Sequence, residues 1–178
     1  MSIINKEKYK FVEYNPTYKI LFRKEKYKLK KIFPKSQIEH VGSTSVPGLG
    51  GKGIVDLAIS VPKNNIKDSL KLLENNGFEY KIKPLDEKRK FLQKIINYRK
   101  KQRRVHIHLT YKNGIIWKSL IALRNYLREN KSAIEKYAKI KKQAVKNAKG
   151  HSPKYRGYKH KILVELNKKA LENAKKAK

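Results

Sequence analysis

At 178 residues with 39% apolar content, the chain is long enough to bury a core as one domain. Lys and Arg number 46 against 14 Asp and Glu, a net charge of +32 that would draw in nucleic acid, nucleotides or other anions. It contains no cysteine, which excludes disulfides and thiolate metal sites, and no apolar run approaches a membrane span.

Only eight of the basic residues are Arg, and Asn, Ile and Tyr are abundant, a pattern that genome composition also produces. The first residues, MSIINKEKYKF, lack the apolar core of a signal peptide. A cytoplasmic protein is the default expectation.

Asn15-Pro16 has the form of a helix start, Asn as cap and Pro in the first turn. Tyr18, Leu21, Phe22, Leu29, Ile32 and Phe33 keep helical spacing until Pro34. A short strand is predicted over 37–41 and an apolar one over 54–61, ended by Pro62. Between them lies a loop of small residues holding Gly42, Gly48, Gly50, Gly51 and Gly53, five of the nine glycines. A helix over 65–76 follows, with Gly77 as its stop. Residues 78–82 read as a strand, and 90–96 with 103–111 as a hairpin joined by the basic turn NYRKKQ.

From Gly114 the period becomes helical. Ile116, Leu120, Leu123 and Leu127 mark one helix. The next is expected to open on a capping box, Ser132 with Glu135, and to carry Ile134, Tyr137, Ile140 and Val145. The last starts near Pro153, runs through Ile162, Leu166 and Ala170, and is expected to fray in its lysine-rich tail. Strands in the middle with helices at both ends predict a single α+β or α/β domain spanning 1–178, with α+β preferred.

Chemistry concentrates in three places. Asp56, one of three aspartates, interrupts an apolar strand; Asp56, Ala58 and Ser60 share one face of it. His106, His108 and Thr110 share the polar face of another strand. A sheet setting these faces side by side would gather Asp56, His106 and His108 beneath Gly42 and Ser43. A Gly-Ser loop offers backbone N–H groups and hydroxyls, Ser43 and Thr44, that suit a phosphate, and Lys52 adds a point charge. The bland readings are a plain turn, a hydrogen-bonded Asp and an exposed histidine pair. Farther on, Tyr137 with Lys141 and Tyr155 with Lys159 each lie one turn apart. With Arg124 and Arg128 they could wall an anion cleft, or the lysine stems could simply cover packed tyrosines.

The run His-Val-Gly-Ser-Thr-Ser-Val-Pro-Gly-Leu at 40–49, followed by Lys52 and Ile54-Val55-Asp56, resembles the hallmark of the GrpB family. Asn15-Pro16, Gly77-Phe78, His106-Ile107-His108, Trp117 and Leu123-Arg124-Asn125-Tyr126-Leu127-Arg128 extend the match over nearly the whole chain. The resemblance implies a nucleotidyltransferase-like mixed β-sheet with flanking helices and a C-terminal helical bundle. It also implies a candidate metal-dependent nucleotidyltransferase. Gly42 and Ser43 match the nucleotide-holding pair; Thr44 and Lys52 of the loop and Arg124, Tyr155 and Lys159 of the helices are the further candidate substrate contacts, read from the residues themselves. Asp56 matches the first metal carboxylate, and His106 and His108 stand where a later acid is expected, His108 with Asp56 as candidate metal ligands. The implied cofactor is a divalent metal, Mg or Mn before Zn. The implied partner is a nucleotide or phosphorylated small molecule, with RNA a further candidate from charge. The second acid of the superfamily pattern is replaced by Ala58, so a catalytically degenerate nucleotide- or RNA-binding module is the alternative reading.

Overall fold

The computed structural model describes residues 10–83, 86–149 and 151–176. Helix α1, Thr17–Ile32, starts where Asn15 accepts the Thr17 N–H (2.9 Å) and ends before Pro34. Strand β1, Gln37–Val41, leads into the glycine loop, whose residues 43–45 form one 3-10 turn. Strand β2 is Val55–Val61, and α2, Ile66–Asn75, ends at Gly77, whose N–H bonds the Glu74 carbonyl.

Strand β3 is shorter than expected, Glu79–Tyr80, because Phe78 turns down into the core instead of pairing. The hairpin is longer than expected. β4, Arg89–Tyr98, and β5, Lys101–Tyr111, pair until only Arg99 and Lys100 remain to turn. Both have positive φ, 50° and 58°, the conformation of a two-residue turn that matches strand twist.

Helices α3, Ile115–Glu129, α4, Lys131–Ala148, and α5, Ser152–Lys176, complete the chain. The expected capping box does not form. Only Asn130 separates α3 from α4, so α4 starts at Lys131 and Ser132 already lies inside it; Asn130 instead donates its amide to the Tyr126 carbonyl, closing α3. The lysine tail does not fray early either, since α5 stays helical to Lys176.

The five strands lie in the order β1-β2-β5-β4-β3. All neighbours are antiparallel except β2 and β5, which run parallel. Strand alternation divides the sheet into two faces. Val55, Leu57, Ile59, Val105, Ile107, Leu109 and Leu92 are fully buried on one, packed with Tyr18, Leu21, Leu29 and Phe33 of α1 and Leu73 of α2. A separate apolar cluster joins α3, α4 and α5 through Leu127, Tyr137, Ile162 and Leu166, and the glycine loop contributes Val46 and Leu49 to it. Anchored to the helices on one side and continuous with β1 and β2 on the other, the loop ties the helical cluster to the sheet. Among the described residues no helix is long and apolar enough to cross a membrane.

Candidate functional site

The second face of the sheet carries the polar residues, and register decides which of them meet. In the parallel pair Asp56 stands beside His106 and Ala58 beside His108, so Asp56 lies between the two imidazoles. Its Oδ1 accepts from His106 Nδ1 at 3.0 Å and from His108 Nε2 at 3.3 Å. Burial pushes the Asp56 carboxyl up, but these two bonds and the neighbouring imidazole charges outweigh it and hold the group well below the usual carboxylate range. An ionised carboxylate only accepts, so both bonded ring nitrogens carry hydrogen.

β4 completes the cluster. Phe91 pairs with His108 in register and lies edge-on to both imidazoles, at 4.8 and 5.4 Å. Arg89 Nη1 donates to His108 Nδ1 at 3.1 Å. His108 therefore has both nitrogens engaged, and burial lowers its pKa. His106 has one nitrogen committed, to Asp56, and lines the cleft.

The glycine loop closes over Asp56. Gly42 has φ 70°, and a Cβ there would fall 2.5 Å from Asp56 Oδ2. Gly51 leaves room beside Ser43 Oγ and Lys141 Nζ, since a Cβ would be 2.7 Å from each. Lys141, 3% exposed, reaches from α4 to donate to the Gly50 carbonyl. Burial, then the charge of Lys159, lowers its pKa to about 7. Burial likewise lowers Lys159 and raises the phenol of Tyr137. Lys52 and Lys159 both lie over the Tyr155 ring, at 5.2 and 4.7 Å, and Lys141 over Tyr137 at 5.0 Å. The packed tyrosines and the cationic wall are thus one arrangement, not alternatives.

These groups surround a cleft of about 530 Å³ between the sheet and the helices. Gly42, Ser43, Lys52, Asp56, His106, His108, Arg124, Tyr137, Lys141, Tyr155 and Lys159 all line it, so the residues singled out from sequence come together except Thr44 and Arg128. Thr44 does not line it. Its hydroxyl points away, donating to the Ile54 carbonyl (2.9 Å) and meeting His40 Nε2 (3.1 Å), because the 3-10 turn directs Ser43 and Thr44 to different sides. Arg124 divides its guanidinium between the cleft wall and Glu39 (2.6 Å), and Arg128 clamps the loop through two bonds to the Ser45 carbonyl.

Arg89 and Phe91 had no sequence signal, being ordinary residues of a basic hairpin. Lys141 had one, its one-turn spacing from Tyr137. Arg156, and Leu120, Leu123, Leu127 and Leu163 on the opposite wall, became lining residues only through helix packing.

The donor set does not fit the two magnesium ions of the superfamily pattern, which take several oxygen ligands in near-octahedral geometry. Asp56 is the single carboxylate of the cleft, with one oxygen given to two imidazoles. Ala58 fills the next position on the same face. Glu39 reaches that face by pairing with Ala58, but its carboxylate is held by Arg124. His108, expected as a ligand, has no ring nitrogen left for a metal. Among the described residues no group of three or more His, Cys, Asp or Glu side chains is arranged to hold a metal ion.

Residues 8–169 match the family described as GrpB protein. The chain belongs to the GrpB family. It is 28% identical over 162 residues to UPF0157 protein BH1888 of Halalkalibacterium halodurans, covering 89% of this chain and 80% of that one. Among solved structures it resembles GrpB from Enterococcus faecalis at 29% identity and TM-score 0.78, covering 93% of this chain and 99% of that one. It also resembles the Cid1 poly(U) polymerase with Mg 3′-dATP bound, at 14% identity and TM-score 0.54, covering 82% of this chain and 49% of that one. That likeness is one of fold: this GrpB chain has a nucleotidyltransferase-like architecture, and it spans about half of the polymerase chain.

Proposed function

We propose that this GrpB chain binds a nucleotide or another phosphorylated small molecule in the cleft between the Gly42-Ser43 loop, the strands of Asp56, His106 and His108, and helices α3 to α5. The observation that carries this reading is the charge of the lining. Lys52, Arg89, Arg124, Lys141, Arg156 and Lys159 line one cleft, in which Asp56 is the one carboxylate among the described residues. Burying a cation is unfavourable unless an anion compensates it, and the pKa values of Lys141 and Lys159, lowered first by burial, report that cost.

The ligand has two ends. The cations suit phosphate, while Leu120, Leu123, Leu127 and Leu163 offer an apolar wall that suits a base or another flat group. Likeness in fold to a polymerase described with a bound nucleotide favours a nucleotide as the ester. Transfer of a nucleotidyl or phosphoryl group is the stronger version of this reading. Binding without chemistry is the weaker version, and Ala58 at the second acid position favours it.

Calorimetric titration with adenosine, AMP and ATP tests the common core. Affinity should rise with phosphate count and fall steeply with salt. The double variant Lys141→Met, Lys159→Met should lose about ten-fold or more, whereas Lys71→Met, on the far helix α2, should not. Equal binding of adenosine and ATP, or a double variant that binds like the parent, overturns the reading.

A further inference from the structure

The cleft departs from metal-centred phosphate chemistry in a consistent direction. Where a second oxygen ligand should stand, β2 carries Ala58, and β4, on the far side of β5, supplies a guanidinium. Arg89 lies over the Phe91 ring at 5.7 Å and holds His108 through Nη1. Its buried Nε–H has no hydrogen-bond partner among the described residues, an unmet donor on a side chain that lines the cleft. Asp56, meanwhile, gives Oδ1 to both imidazoles. His108 is fixed in one tautomer by donating to Asp56 and accepting from Arg89, and His106 donates to Asp56 through Nδ1.

Resting on the phosphate reading above, we propose that the cleft takes its phosphate ester as the free anion, with Arg89, Lys141 and Lys159 standing in for a divalent cation and Asp56 serving to orient two histidines. The charge arithmetic agrees. A carboxylate that served as a metal ligand would gain from a dication. Here Arg89, Lys159 and, when protonated, Lys141 place up to three positive charges around one negative one, and a dication entering that field meets repulsion before it meets oxygen. A Mg²⁺ complex of a polyphosphate has lost two negative charges, so it gains less from the same wall than the free anion does. The class of ligand is therefore an uncomplexed di- or triphosphate, or a phosphate monoester, which binds magnesium weakly in any case. The uncommitted nitrogen of His106 is left to hydrogen-bond that ligand.

Pyrophosphate is the probe, titrated into the purified protein in EDTA and again in excess Mg²⁺ or Mn²⁺ at matched ionic strength. The expected result is binding in EDTA that excess metal weakens several-fold. Arg89→Met should lose about ten-fold of the metal-free affinity. A second measurement needs no variant: paramagnetic Mn²⁺ should leave the His106 and His108 imidazole signals unbroadened at concentrations that broaden a surface carboxylate. Binding that EDTA abolishes and Mg²⁺ or Mn²⁺ restores overturns the inference while leaving the phosphate reading intact, as does selective Mn²⁺ broadening of the two histidines. Absence of binding under both conditions overturns both.

Discussion

Lys141 donates to the carbonyl of Gly50, 91 residues earlier in the chain, and this bond joins helix α4 to the glycine loop. The ammonium lies with Lys159, Lys52 and Asp56 as its charged neighbours and the Tyr137 ring beneath it. With its pKa lowered to about 7 by burial, Lys141 changes charge near neutrality, where an ordinary lysine would not. Protonated, it attracts an anion; neutral, it does not. Sulfate affinity should therefore fall as pH rises through about 7, and sulfate is the right probe because its own charge stays constant there. In Lys141→Met that pH dependence should flatten. A parent protein with pH-independent sulfate affinity contradicts the assignment.

Gly42→Ala should destabilise the fold by about 1–3 kcal/mol. The new methyl must share space with Asp56 Oδ2 at 2.5 Å, and an L residue must hold φ 70°. Displacement of Asp56 should also shift the His106 and His108 imidazole resonances. Urea unfolding gives the first effect and NMR the second. A variant as stable as the parent would mean that the loop is not seated on Asp56.

His40 points away from the cleft, stacked on Phe22 at 4.6 Å and 9°, and burial lowers its pKa from 6.5 to about 4. Between these values the unfolded chain binds a proton that the native chain refuses. Stability from this group is complete above pH 6.5 and is lost as pH falls toward 4, by at most about 3 kcal/mol. Unfolding free energies across that window should slope less in His40→Phe. The same slope in both proteins would assign the acid sensitivity elsewhere.

Arg128 holds the Ser45 carbonyl through Nε at 3.0 Å and Nη2 at 2.7 Å, a forked contact that lysine cannot reproduce. Arg128→Ala should cost about 1–3 kcal/mol, and Arg128→Lys should recover little of it. Hydrogen exchange at the loop amides should quicken in both variants while β4 and β5 stay protected. Uniform quickening across the sheet would make the clamp a global contact, not a local one.

The hairpin turn offers a stabilising test. Arg99 and Lys100 adopt left-handed backbone that Asn and Gly adopt more readily, and they place two like charges side by side. Replacing the pair with Asn-Gly should raise stability by about 1 kcal/mol, read as a higher urea midpoint with unchanged slope. A lower midpoint would mean that the basic pair makes contacts worth more than the backbone preference.

Element types were legible because they depend on local periodicity. The alternation of Val105, Ile107 and Leu109 with His106 and His108, and the Asn15 and Gly77 helix signals, are properties of adjacent residues. What failed was local chemistry overridden by connectivity. Ser132 and Glu135 are correctly spaced for a capping box, but the one-residue link at Asn130 starts the helix too early for it. Thr44 reads as a cleft hydroxyl until the 3-10 turn points it at Ile54. Arg89 had no signal at all, since its role rests on pairing between β4 and β5.

The sequence by itself determined that a Gly-Ser loop, a strand carboxylate and a His-x-His strand exist, and that the chain is strongly cationic. It could not say which faces meet, because side-chain alternation is blind to strand order and register. Tertiary structure decided that β2 and β5 run parallel with Asp56 level with His106. It decided that Glu39, on the correct face, is taken by Arg124. It also placed Arg89, Lys141 and Lys159 around one ionised carboxylate. Such a concentration of charge arises only when segments distant in sequence share a small, poorly solvated volume.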